Sequence, residues 1–179
     1  MKRIIKLYKG DITKQVVDVI VNAAHDDLSG GGGVDGAIHD AAGDTMTGEC
    51  LNLPRNEYGF RCPIGECRMT GGYELKAYYI LHTVGPVWRG GKFNEEKDLK
   101  NCYDNCFLMA RMQGLRSISF PCISTGAYCF PKELAAKIAV ESARNSVMLG
   151  RVEFVRFVCF DDENYNEYLK LMPEGKLEL

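Results

Sequence analysis

Four consecutive glycines, Gly30 to Gly33, lie between an apolar segment and a helical pattern that begins near Gly36. Glycine lets backbone N–H groups approach a ligand closely, because it has no side chain and tolerates positive φ. The helix that follows contributes unpaired N–H donors and a partial positive charge at its N-terminus. The residue types and their order therefore predict a loop that binds phosphate through its backbone.

A second glycine turn, residues 124–128, also follows an apolar, strand-like run and precedes a helical pattern. We expect the two loops to meet at the carboxyl edge of an α/β sheet, where such sheets bind their ligands. There they would hold one diphosphate from opposite sides. The rings of Tyr128 and Phe130 suit either stacking on a sugar or base, or ordinary packing in the core.

Neither of the two common nucleotide-binding motifs is supported by the sequence around it. Gly31, Gly33 and Gly36 have the spacing of the dinucleotide-binding fingerprint, but eight residues separate the preceding apolar run from Gly30. The acidic residue expected at the end of a second strand is missing, because the region around Glu57 is typical of a loop. The chain also lacks the glycine–lysine–serine/threonine sequence of a P-loop.

Apolar, β-branched runs alternate with helical patterns along the chain. The predicted strands are 4–8, 16–21, 66–70 (weaker), 78–84, 118–123 and 154–160. The predicted helices are 36–42, 45–53, 99–110, 131–150 and 164–172. Strands that alternate with helices predict an α/β protein with helices on both faces of the sheet.

Length and composition limit the class of protein. The 179 residues fit one domain, which we place at 1–173, with a frayed tail at 174–179. A net charge of −2 gives no bulk attraction to nucleic acid, and no apolar run approaches the roughly 18 residues of a membrane span. Eight cysteines without signs of secretion predict reduced thiols. We expect a cytoplasmic protein with a small-molecule partner and no metal or cofactor.

Six motifs follow one another along the chain: 10–13 (GDIT), 19–24 (VIVNAA), 30–43 (GGGGVDGAIHDAAG), 62–66 (CPIGE), 80–88 (ILHTVGPVW) and 124–131 (STGAYCFP). In these motifs and their order the chain resembles the macrodomain family from about Gly10 to Asp162. Within the family the motifs are most similar to the MacroD-type hydrolases. The resemblance implies a three-layer α/β/α fold around a central mixed, mostly parallel sheet, with a cleft that binds ADP-ribose.

The resemblance also implies roles for single residues. Asp11 is expected to accept the adenine amino group, with Ile12 and Phe160 lining the adenine pocket. Asn22 is expected to face the distal ribose, with the catalytic Asp35 beside it. The diphosphate is expected on the two loops, whose binding residues are Gly32, Gly33, Val34, Ser124, Thr125, Gly126, Ala127 and Tyr128.

Asp35 is the only carboxylate within residues 30–39, and a diphosphate beside it would repel its charge. Catalysis explains such a charge better than stability does, since ester hydrolysis needs a group that accepts a proton from water. The alternative role of Asp35 is to cap the helix that follows it. His39, one helical turn later, suits either orientation of Asp35 or a structural role. His82, in an apolar strand, is expected to be a hydrogen-bonded core group rather than a base.

Two residues depart from the usual hydrolase pattern. His25 stands where an Asn normally helps to position the distal ribose, although a histidine can still donate and accept hydrogen bonds there. Cys129 stands where glycine is usual, and we expect it to stiffen the loop over the ribose. The candidate catalytic residues are therefore Asp35, Asn22, His25 and His39.

The resemblance, together with the chemistry of Asp35, implies a hydrolase that removes an ester-linked group from the distal ribose of ADP-ribose. Its expected substrates are O-acetyl-ADP-ribose and mono-ADP-ribosyl groups on Asp or Glu side chains, so its partners would include mono-ADP-ribosylated proteins. A non-catalytic reader that binds ADP-ribose is the alternative, and hydrolysis of ADP-ribose 1″-phosphate is a third hypothesis. Neither a membrane nor nucleic acid is an expected partner. Turnover distinguishes the hydrolase from the reader, because both would bind ADP-ribose.

Overall fold

The computed structural model describes residues 3–179, in which the chain forms seven strands and five α-helices. Residues 1 and 2 of the predicted domain lie outside the described residues. No helix within the described range is both long and apolar enough to cross a membrane. The strands are β1 (Ile4–Lys9), β2 (Val19–Ala23), β3 (Cys67–Gly71), β4 (Tyr79–Thr83), β5 (Ser117–Phe120), β6 (Phe154–Cys159) and β7 (Lys176–Glu178). The helices are α1 (Gly33–Ala42), α2 (Asp44–Asn52), α3 (Glu95–Met112), α4 (Lys132–Met148) and α5 (Asp162–Leu171).

The described strands form a single sheet in the order β3-β4-β2-β5-β6-β1-β7. The four inner pairings are parallel. The two outer pairings, β3 with β4 and β1 with β7, are antiparallel. This arrangement confirms the predicted mixed, mostly parallel sheet. The carboxyl ends of the five parallel strands meet at one edge, which is the edge where such sheets bind ligands.

Alternate side chains of β2 enter two separate cores. Val19 and Val21 pack with residues of α3, α4 and α5. Ile20 packs instead with residues of α1 and α2. Successive side chains of a strand point to opposite faces of its sheet, so helices cover both faces of this one. The fold is the predicted three-layer α/β/α arrangement.

The predicted strands and helices are present in the described residues, with shifted boundaries. The second strand begins at Val19, because Val16 is exposed before the sheet starts. The fifth strand ends at Phe120, since Pro121 has no N–H to continue the ladder. The expectation of a frayed tail is wrong at Lys176–Glu178, where β7 pairs with β1. A 3-10 turn at Ile12–Lys14 has no counterpart among the predicted elements.

The eight cysteines are free thiols, in agreement with the prediction. Most of them are buried, whereas Cys122 is half-buried and Cys129 is exposed. Burial raises the pKa of the Cys62 and Cys102 thiols to about 12. Such thiols remain protonated and pack as small apolar groups.

Candidate active site

A cleft of about 740 Å³ opens at the carboxyl edge of the sheet. Its walls come from the segments that follow β1, β2, β5 and β6, together with the first turn of α1. The volume is typical of a small-molecule site. Eleven of the thirteen residues predicted to bind ADP-ribose line it, namely Asp11, Ile12, Gly32, Gly33, Val34, Ser124, Thr125, Gly126, Ala127, Tyr128 and Phe160.

The first wall of the cleft is the glycine loop with the first turn of α1. Gly32 is the N-cap residue, and no side chain caps this end of the helix. The first N–H groups of α1 therefore lie open beside the cleft. Gly36 lets the loop pack closely on the helix, since a Cβ there would lie 2.5 Å from the carbonyl oxygen of Gly31.

The second wall is the loop that follows β5. The N–H of Phe130 donates to the carbonyl of Ser124 at 2.9 Å and closes the loop. The N–H groups of residues 125–128 donate to no acceptor within the described part of the chain. Trp88 supports the loop, because its N–H donates to the carbonyl of Tyr128 at 2.9 Å. The two predicted sets of N–H donors thus line one cleft.

The two aromatic residues of this second loop have different places. Phe130 is buried, and its ring packs on Trp88 with 4.8 Å between centroids. Tyr128 lines the cleft instead. The sequence left two roles open for these rings. Phe130 therefore packs in the core, whereas Tyr128 is placed where it can contact a ligand.

Asp11, Ile12 and Phe160 lie at the end of the cleft formed by the neighbouring strands β1 and β6. Oδ1 of Asp11 accepts hydrogen bonds from the N–H and the hydroxyl of Thr13, at 2.8 and 2.7 Å. Within residues 3–179, its other carboxylate oxygen has no partner. The ring of Phe160 is 84% exposed, an unusual position for a large apolar side chain. A free acceptor beside an exposed ring suits an aromatic base that carries an amino group.

Sequence reasoning missed Asn164, which is buried and also lines the cleft. Asp161 is the N-cap of α5 and holds Asn164 by accepting hydrogen bonds from its N–H and its Nδ2, each at 2.8 Å. Oδ1 of Asn164 has no partner in the described residues. An aspartate three residues before an asparagine, after a strand, is an N-cap signal that could have found this residue.

Three side chains surround the carboxylate of Asp35 at the end of β2. Nδ2 of Asn22 donates to Oδ1 at 2.7 Å, and Nδ1 of His25 lies 3.3 Å from Oδ2. Nε2 of His39 lies 3.4 Å from Oδ1, at the distance of an ion pair but without a hydrogen bond. Nδ1 of His39 pairs instead with the hydroxyl of Thr47 at 2.7 Å. The structure thus brings the four candidate catalytic residues together.

The Asp35 cluster, which consists of Asp35, Asn22, His25 and His39, reaches the cleft through His25. The side chain of His25 is 48% exposed and lines the cleft, whereas that of Asp35 is 2% exposed and lies behind it. Asn22 is likewise buried and does not line the cleft. The oxygens of Asp35 contact side chains rather than the N–H groups of α1, so the alternative capping role has no support.

His82 lies next to Asn22 in the parallel pairing of β2 with β4. Nδ2 of Asn22 lies 3.1 Å from Nδ1 of His82, and Oγ1 of Thr70 lies 2.8 Å from Nε2. Burial, with a smaller contribution from the nearby His39, lowers the pKa of His82 to about 3. The neutral ring accepts from Asn22 at Nδ1 and donates from Nε2 to Thr70. His82 is therefore the predicted hydrogen-bonded core group.

Comparison with known proteins agrees with this geometry. A sequence model of the Macro domain family matches residues 21–139. O-acetyl-ADP-ribose deacetylase 1 of Pantoea vagans is 48% identical over 173 residues, which are 96% of this chain and 99% of that protein. The Oceanobacillus iheyensis macrodomain with ADP is 40% identical with a TM-score of 0.88, covering 97% of this chain and 98% of that one. The Trypanosoma brucei macrodomain in complex with ADP-ribose is 42% identical with a TM-score of 0.84, covering 94% and 68%. Motifs, fold and relatives agree, and this chain belongs to the macrodomain family.

Proposed function

We propose that this protein hydrolyses O-acetyl-ADP-ribose at the ester on its distal ribose. We further propose that it releases mono-ADP-ribose from Asp and Glu side chains of proteins, because the linkage there is the same kind of ester. The observation that carries the proposal is the Asp35 cluster, placed at one end of a cleft whose two walls present free backbone N–H groups.

The cleft offers a complementary group for each part of ADP-ribose. The free oxygen of Asp11 accepts from the adenine amino group, and the exposed ring of Phe160 covers the base. The N–H groups of the two loops, with the positive end of α1, bind the diphosphate although the chain carries a net charge of −2. The diphosphate between the loops then directs the distal ribose towards the Asp35 cluster.

Asn22 acts on the site through Asp35, because its Nδ2 donates to the carboxylate while the residue itself does not line the cleft. Its Oδ1 is buried without a hydrogen-bond partner among the described residues. A buried acceptor left unpaired costs about 1–3 kcal/mol. Asn22 therefore holds Asp35 in place at the cost of one unpaired acceptor.

The ester chemistry needs a water molecule and a group that takes its proton during attack on the acyl carbon. The Asp35 cluster supplies a carboxylate, and it reaches the cleft through His25. Two relatives support the choice of substrate: a protein named O-acetyl-ADP-ribose deacetylase, and a macrodomain solved with ADP-ribose. The removal of ADP-ribose from proteins is supported by the shared ester chemistry and by the half-exposed side chain of His25, which lines the cleft.

The test compares the wild type with Asp35→Asn on O-acetyl-ADP-ribose and on a glutamate-linked mono-ADP-ribosylated protein. The amide keeps the shape of the carboxylate but not its charge, so we expect kcat to fall by about 10²–10⁴ with ADP-ribose binding retained. Asp40→Asn, an exposed position on the same helix, is the matched control and should keep full turnover.

Two results would contradict the proposal. A wild type that binds ADP-ribose by calorimetry but cleaves neither ester would refute the hydrolase and favour a reader of ADP-ribosylated proteins. Undiminished turnover by Asp35→Asn would show that the chemistry takes place outside the Asp35 cluster.

A further inference from the structure

Asp161 and Asn164 line the cleft on the segment that follows β6. In the arrangement of ADP-ribose proposed above, on which this inference rests, adenine lies at the ends of β1 and β6. The diphosphate lies on the loops that follow β2 and β5. Since β6 pairs with β1 on one side and with β5 on the other, the ribose of the adenosine lies over the segment after β6. Asp161 and Asn164 are therefore placed beside that sugar.

We propose that Asp161 makes the cleft selective for ADP-ribose over ADP-ribose that carries a phosphate on the 2′-hydroxyl of its adenosine. A hydroxyl can donate a hydrogen bond to a carboxylate. A phosphate in its place offers acceptor oxygens and adds a charge of about −2. Like charges brought together in a cleft are costly, and proteins use this cost to reject the wrong ligand. In dinucleotide-binding sheets, an acidic residue beside the adenosine ribose distinguishes the same two classes of ligand.

The lining of the cleft offers no basic side chain that would offset such a charge. Among residues 3–179, no lysine or arginine lines the cleft. The two carboxylates in its lining, those of Asp11 and Asp161, both lie on the segments that follow β1 and β6. The diphosphate can rely on backbone N–H groups at the two loops, but an additional phosphate would meet the carboxylates at the adenosine end.

Asp161 is ionised at neutral pH, and the nearby lysines are paired with other residues. Desolvation raises the pKa of Asp161, but hydrogen bonds from the first turn of α5 and the charge of Lys132 outweigh it and lower the pKa below its ordinary value. Nζ of Lys132 lies 2.9 Å from a carboxylate oxygen of Glu163. Lys9 likewise pairs with Asp162. A ligand phosphate would therefore compete with existing ion pairs for either lysine.

Two helix N-termini border the cleft, and they differ in what they offer a ligand. Gly32 caps α1 without a side chain, so the first N–H groups of that helix are open to the diphosphate. Asp161 caps α5, and its Oδ1 accepts from the N–H of Asn164 at 2.8 Å. Nδ2 of Asn164 donates to Oδ2 of the same carboxylate, also at 2.8 Å. The N-terminus of α5 thus presents a carboxylate to the cleft, whereas that of α1 presents donors.

The test measures the Kd of ADP-ribose and of ADP-ribose 2′-phosphate by calorimetry. We expect the wild type to bind the phosphorylated ligand at least about tenfold more weakly. Asparagine caps helices as well as aspartate does, so Asp161→Asn keeps the N-cap, and it should narrow the ratio of the two Kd values at least about fivefold. Asp40→Asn removes the same charge from an exposed position outside the cleft and should keep the ratio within about twofold.

Salt provides a readout that a purely structural role of Asp161 would not move. Asp161 is exposed, and at 1 M salt the Debye length is only about 3 Å. The ratio of Kd values in the wild type should therefore fall towards the ratio in Asp161→Asn as salt is added. Asp161→Ser, a second neutral residue that caps helices, should have the same ratio as Asp161→Asn even if either variant loses stability.

Failure of this inference is distinguishable from failure of the proposed function. Because the test measures binding, a wild type that cleaves neither ester would refute the proposed reaction without deciding the role of Asp161. If the wild type binds ADP-ribose and its 2′-phosphate with Kd values within about threefold, the inference is overturned. It is also overturned if the wild type discriminates but both Asp161 variants keep the ratio within about twofold, since the discrimination would then come from other residues.

Discussion

His82 couples the stability of the fold to pH, and the structure gives the size of the effect. Its ring is fully buried, and burial together with His39 lowers its pKa to about 3 from the 6.5 of an exposed histidine. Below pH 6.5 the unfolded chain therefore binds a proton at this position that the folded chain does not bind. The free energy of unfolding consequently falls as the pH falls, from near 6.5 down to about 3.

The magnitude follows from the two pKa values. Between pH 7 and pH 4.5, this one group lowers the free energy of unfolding by about 2–3 kcal/mol. Carboxylates also titrate in this range, so the loss measured for the wild type contains other contributions. The variant His82→Gln cannot take up the proton, and it isolates the contribution of this residue.

The assay is urea unfolding at both pH values, with linear extrapolation to water. The quantity of interest is the loss of unfolding free energy between pH 7 and pH 4.5, not the absolute stability of each variant. The wild type should lose about 2–3 kcal/mol more than His82→Gln, and Thr70→Val, which keeps the buried imidazole, should behave like the wild type. Equal losses in the wild type and His82→Gln, within about 0.5 kcal/mol, would refute the reasoning.

Two further predictions concern the cleft. Gly36→Ala should weaken ADP-ribose binding by at least about tenfold and lower the unfolding free energy by about 1–3 kcal/mol, because the new methyl group would lie 2.5 Å from the Gly31 carbonyl. The control is Gly48→Ala in the interior of α2, where the new methyl group meets open space and should stabilise the fold by about 0.5–1 kcal/mol. Thermal unfolding measures the stability and calorimetry measures the binding. Equal effects of the two substitutions would contradict this prediction. Phe160→Ala should raise the Kd for ADP-ribose about tenfold without lowering the unfolding free energy, since the ring is exposed and its stacking on the base is worth about 1–3 kcal/mol. Phe93→Ala, at another exposed ring, should leave the Kd unchanged, and parallel loss of affinity in both variants would refute the stacking role.

Local signals were sufficient to predict most of the fold. The apolar runs that become β2, β4, β5 and β6 are nearly continuous, as expected for strands covered on both faces, and each lies close to its predicted place. The segment Lys176–Glu178 gave no such signal, because it is short, polar and on the edge of the sheet. It becomes a strand only because β1 leaves an edge open beside it, and a long-range pairing of this kind has no local pattern.

The same distinction applies to the candidate site. Asp35, the glycine loop 30–34 and the loop 124–128 were identified from motifs, since each lies within one continuous stretch of sequence. The contact between Asn22 and His82 depends on the register of β2 against β4, which pairs residues sixty positions apart. The covering of Asp35 by His25 likewise depends on how the loop after β2 folds back onto α1. Neither arrangement leaves a pattern of residue types that a single sequence would reveal.

The neutral state of His82 determines the orientation of the Asn22 amide. The amide has two hydrogens, of which one goes to Asp35 and the other to Nδ1 of His82. In the flipped orientation the amide oxygen would face two acceptors, the carboxylate and the lone pair of Nδ1, and both contacts would be repulsive. The amide oxygen is therefore held away from the carboxylate and has no partner among the described residues. Burial in the core keeps His82 neutral, and through Asn22 the same burial fixes the amide hydrogen that is donated to Asp35.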